Sequence, residues 1–77
     1  MSPVSDDIVV DARGHRCPTP TLRLRRALEG ARPGQIVRLL ADDPLARIDV
    51  PHFAASVGRD LVSSDTDGAT LVFRIRA

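Results

Sequence analysis

The strongest constraint on this chain is the order in which its apolar residues change period. A short β-branched run, Ile8-Val9-Val10, comes first and reads as a strand. Next, Pro20, Leu24, Ala27, Leu28 and Ala31 recur at helical spacing and form one stripe. This predicts a helix from about Pro18 to Glu29, with Arg23, Arg25, Arg26 and Glu29 off the stripe and Leu22 exposed near its start. Gly30 and Pro33-Gly34 end it. Ile36-Val37-Arg38-Leu39-Leu40-Ala41 is a mostly apolar strand, expected to be central. Asp42-Asp43-Pro44 breaks it. Ala46, Val50, Phe53, Ala54 and Val57 return to the helical period, predicting a second helix over roughly Arg47 to Val57, closed by Gly58. Pro51 fits that helix only in its first turn, where a missing N–H costs nothing. Leu61 to Ser64 is a third strand. Asp67-Gly68 signals a hairpin turn. Thr70 to Arg76 is a fourth strand, with Leu71, Phe73 and Ile75 on one face and Val72, Arg74 and Arg76 on the other.

The order is β-α-β-α-β-β. The simplest architecture is a two-layer α/β sandwich, a four-stranded mixed sheet with both helices on one face. With 77 residues the chain is expected to form a single domain over 1–77, with 1–6 as a flexible tail. A domain of this size buries only about 60% of its unfolded surface, so its active site should be a surface feature that a partner can reach. The only aromatic residues are Phe53 and Phe73, and the formal net charge is +1. Both weigh against nucleic-acid binding. The N-terminus shows no basic segment followed by an apolar run, and no stretch approaches the roughly 20 apolar residues of a membrane span. The expectation is a cytoplasmic protein without a membrane segment.

There is one cysteine, so no intramolecular disulfide can form. His15 and His52 make no metal-binding spacing with it, and no metal is expected. Cys17 sits where a loop meets a helix, in Gly14-His15-Arg16-Cys17-Pro18-Thr19-Pro20. Free N–H groups and the positive end of the helix dipole favour thiolate over thiol there. With Cys17 as N-cap, Pro18 is N1 and Pro20 is N3. The Thr19 N–H is then the main local donor aimed at the sulfur. A lone cysteine at an arbitrary position reads as a small buried apolar residue. Beside Gly14, Arg16 and two prolines it reads as a nucleophile.

The run Asp11-Ala12-Arg13-Gly14-His15-Arg16-Cys17-Pro18-Thr19-Pro20 resembles the signature of the TusA/SirA/YedF family of sulfur-carrier proteins. The resemblance continues in Pro33-Gly34, Ala41-Asp42-Asp43-Pro44 and Asp49-Val50-Pro51-His52-Phe53, and covers residues 8 to 76. It implies the same β-α-β-α-β-β sandwich and a sulfurtransferase role. On this resemblance Cys17 is expected to take sulfane sulfur as a persulfide from a cysteine desulfurase or a rhodanese. It is expected to pass the sulfur to a DsrE-type or other acceptor protein, toward tRNA thiolation, molybdenum-cofactor maturation or sulfur oxidation. Sulfur is carried covalently, so no cofactor is expected. A monomer with transient complexes is expected. Two positions depart from the family. His15 replaces a residue that is usually apolar, and Ala54 stands where many members have a second cysteine, which rules out a two-thiol step.

Gly14, Arg16, Pro18, Thr19 and Pro20 are the candidates for positioning the thiol. Arg13, Arg16, Leu22, Arg23 and Arg26 are the candidates for docking a partner. His15 can stabilise a thiolate or relay a proton, but reads more simply as a solvated loop residue. Asp42 and Asp43, before Pro44, read as turn and cap residues rather than as a catalytic pair. The alternative function is a regulatory or RNA- or protein-binding module with Cys17 as redox sensor. A cysteine hydrolase using Cys17 and His15 lacks an orienting group and an oxyanion site.

Overall fold

The computed structural model describes residues 7–16 and 19–77, with the side chain of Thr19 left aside. The expected tail 1–6, and with it Cys17 and Pro18, lie outside the described residues. The elements are β1 (Ile8–Asp11), α1 (Thr19–Gly30), β2 (Ile36–Ala41), α2 (Ala46–Ser56), β3 (Asp60–Asp67) and β4 (Thr70–Arg76). They form one four-stranded sheet in the order β1-β2-β4-β3. β1 runs parallel to β2, and both other pairings are antiparallel. The sheet is therefore mixed, as the element order predicts.

Alternation assigns the faces. Val37, Leu39 and Ala41 of β2 and Leu71, Phe73 and Ile75 of β4 are all buried, and register sets them side by side. Leu24 and Leu28 of α1 and Ala46 and Val50 of α2 join the same cluster. Both helices therefore cover one face. The α1 stripe is the expected one: Pro20, Leu24 and Leu28 are buried, Ala27 and Ala31 pack against the cluster, and Leu22 is 58% exposed. Removal of apolar surface from water, which contributes about 25 cal/mol per Å², is the main force holding these layers together.

Two expectations need correction. Pro51 is not in the first turn of α2 but inside the helix, five residues after its start at Ala46. It deletes the N–H that would reach the carbonyl of Arg47, an exposed residue. Burial of Val50 and Ala54, on either side of it, holds the segment helical. β3 is longer than Leu61 to Ser64. It continues through Asp65 and Thr66 to Asp67, which pairs with Thr70, with a bulge between Leu61 and Ser63. The turn residues are thus Gly68 and Ala69. Gly68 has φ +62 and no other residue type in the described chain has positive φ, which matches a II′ hairpin with glycine first.

Candidate thiol-loop site

The site is built where β1 ends and α1 begins. Ala12 is fully buried and donates its N–H to the Leu40 carbonyl at 2.8 Å, one step beyond the β1 ladder. The chain then turns. His15 N–H donates to the Ala12 carbonyl at 3.2 Å, with Gly14 in the third position at φ +82. A left-handed residue there is the mark of a type II turn, and it favours glycine. This is the local reason for Gly14 in the motif.

A side chain from elsewhere holds that turn. The Gly14 N–H donates to both carboxylate oxygens of Asp42, each at 3.0 Å. Asp42 follows β2 directly, so one of the sheet's two inner strands carries a carboxylate to the loop preceding Cys17. This corrects the reading of Asp42 as a local turn residue. Asp43 does fit that reading: its Oδ1 accepts the Leu45 N–H at 3.0 Å. The physical difference is direction, since one carboxylate closes its own turn and the other spans 28 residues.

The docking candidates separate. Arg13 forks onto Asp11, with Nε to Oδ1 at 2.9 Å and Nη2 to Oδ2 at 2.7 Å, and its backbone N–H also donates to Oδ1. The Arg13 side chain, through these hydrogen bonds, holds the Asp11 carboxyl at about 2. Arg23 Nη1 donates to the Asp11 carbonyl at 2.8 Å, tying α1 to β1. These two arginines therefore have structural partners, while remaining exposed. Leu22, Arg23 and Arg26 line a groove with Val9, Val10 and Ala27 between α1 and the β1 edge. Arg16 lines a different hollow, with Gly14, His15, Asp42, Pro44 and Leu45. The structure thus places Arg16 apart from Leu22, Arg23 and Arg26 rather than gathering all of them on one patch. Arg25 pairs with Glu29 along the helix at 3.9 Å. His15 and His52 are both exposed.

The sequence reading missed Leu45 and Ile48, which are 55% and 68% exposed at the start of α2. The signal was there, because both are apolar and neither falls on the α2 stripe. Among the described residues, no group of three or more His, Cys, Asp or Glu is placed to hold a metal ion. No helix in them is long and apolar enough to cross a membrane.

What this arrangement offers is a stiff approach to a helix start, anchored by Pro20 in the core and by Asp42 at the turn. A SirA-like protein from Desulfitobacterium hafniense has a similar structure, with a TM-score of 0.80 and 29% identity over 91% of this chain and 96% of that one. The sequence family described as Sulfurtransferase TusA matches residues 8–77. That span takes in the described strands, the two described helices and the single cysteine of the sequence, and the chain belongs to the TusA sulfurtransferase family.

Proposed function

We propose that Cys17 is the sulfur-carrying residue of this protein. The observation that carries the reading is the family match over 8–77, a span with one thiol in it. A sulfur carrier of this family with a single cysteine has one place to hold sulfur. The Cys17 thiolate attacks the outer sulfur of a donor persulfide. A new S–S bond forms on Cys17 as the donor's S–S bond breaks, and the donor cysteine leaves as a thiolate. The acceptor's thiolate then repeats the exchange. No external oxidant or reductant enters, and no cofactor is required.

The residues around Cys17 have supporting roles. Gly14 supplies the turn, Pro18 and Pro20 stiffen the helix entry, and the Thr19 N–H stabilises the thiolate. Arg16 offsets its charge. The donor is a cysteine desulfurase or a rhodanese, and the acceptor is a DsrE-type or other sulfur-accepting protein. Leu22, Arg23 and Arg26 form one docking groove; Arg16 with Leu45 forms a second contact zone on the other side of the loop. The carrier works as a monomer with transient complexes, in a cytoplasmic setting where its thiol stays reduced.

The test is the intact mass of the protein after incubation with a cysteine desulfurase and cysteine, without reductant. Wild type should gain one sulfur, lose it to dithiothreitol, and pass it on to an acceptor. Cys17→Ser should gain none while keeping the fold. A gain with thiosulfate and a rhodanese alone would place the protein in sulfur oxidation. No gain from either donor would sink the proposal.

A further inference from the structure

The sheet face opposite the helices carries an arrangement that the carrier role does not use. Register sets Arg38 of β2 directly opposite Arg74 of β4, and Ser63 of β3 opposite Arg74 on its other side. Two like charges facing each other across a ladder repel. Arg38 has a carboxylate, with its Nη2 3.3 Å from Asp7 Oδ2. Arg74 has none among the described residues. On that face Asp60 is 3.7 Å from Arg76, and Asp65 stands opposite Val72, two places along β4 from Arg74. Three polar atoms in this one row, Arg38 Nε, Arg74 Nε and Ser63 Oγ, are buried and have no hydrogen-bond partner among the described residues. Ile36, Leu40 and Val72 flank the row, half-buried. Apolar neighbours lower the local dielectric and make unmet donors and unmet charge more costly.

We infer that Arg38, Arg74 and Ser63 form a binding site for one tetrahedral oxyanion of the phosphate or sulfate class. Such an ion supplies the acceptor that both Nε–H groups and the Ser63 hydroxyl lack. It also offsets the repulsion between the two guanidiniums. A planar carboxylate satisfies one guanidinium fork, as Asp11 does for Arg13. Donors from three strands need an acceptor with oxygens in more than one plane. The Arg38 side chain is 33% exposed, so the ion approaches from the solvent side, and the side chains of the row shift to open the buried Nε and Oγ atoms to it.

The experiment follows the arginine Nε–Hε resonances of the full chain by NMR. Sodium phosphate replaces sodium chloride at constant ionic strength. Saturable shifts at Arg38 and Arg74 are expected in roughly the millimolar range. Arg74→Gln should weaken binding by about tenfold or more. Ser63→Ala, which leaves both arginines in place, should weaken it several-fold. Glycerol 3-phosphate is titrated in parallel. Equal affinity for the two assigns the site to a free ion, and tighter binding of the ester assigns it to a phosphate carried on a larger molecule. Either result supports the site. Three outcomes overturn it: no saturation with either probe, acetate acting as well as phosphate, or equal shifts at Arg23, Arg25, Arg26 and Arg47.

Discussion

Along β4, consecutive residues face two different environments. Leu71, Phe73 and Ile75 are at most 6% exposed beneath the helices. Val72 and Arg74 are only half-buried and Arg76 is exposed, because nothing described covers them. The same strand therefore builds the core with one set of side chains and a solvent-accessible surface with the other. The covered face is apolar and closed. The open face mixes Ile36, Leu40 and Val72 with arginines and carboxylates. Stability should be concentrated on the first face, and tolerance to change on the second.

The largest test of that division is Phe73→Ala. Removing a fully buried ring leaves a cavity and should cost about 3–5 kcal/mol in urea unfolding. A cost below about 1 kcal/mol would mean that the layers are not packed as described. Second in size is Asp42→Ala, at the end where both faces meet the thiol loop. Loss of the two hydrogen bonds to Gly14 should cost about 1 kcal/mol, discounted for exposure. It should also slow sulfur transfer more than it alters the fold, and Asp42→Asn should restore part of the loss. Unchanged transfer kinetics would show that the loop holds its shape without the clamp.

Smaller still is Arg74→Met on the open face. It removes a charge that faces Arg38 and a buried Nε that lacks an acceptor. Stability should stay within about 0.5 kcal/mol or rise. A loss comparable with Phe73→Ala would erase the contrast between the faces. The smallest effect belongs to Asp11, whose folded carboxyl lies at about 2 against an ordinary 3.8. Its contribution is therefore present above the unfolded value and lost as pH falls through the folded one. An NMR titration of the side-chain carboxyl should give a midpoint near 2 in wild type, rising toward 3.8 in Arg13→Gln.

The covered face could be read from the sequence because it repeats. The α1 stripe and the β4 alternation each appear several times in a short window, and Asp67-Gly68 marks the hairpin. The polar half of β3 did not show, since Asp65, Thr66 and Asp67 bury nothing and pair through backbone alone. The position of Pro51 was missed because tertiary burial of its neighbours overrode a local rule. For the site, the loop motif and its resemblance to a sulfurtransferase family were visible at once. The Asp42 clamp was not, because it joins residues far apart in sequence, and hydropathy carries no record of such a pairing. The row of Arg38, Arg74 and Ser63 needed the register of three strands.

β3 has one more consequence. It is the longer of the two outer strands, and among the described residues one of its sides has no neighbour to complete its ladder. Such a margin invites strands of other molecules to join it, and repeated joining grows fibrils. Here the margin carries Asp60, Asp65 and Asp67 and is bent by a bulge near Val62. Identical copies brought together along it would align carboxylate against carboxylate. The same carboxylates that leave this margin without an apolar face thus oppose permanent attachment along it.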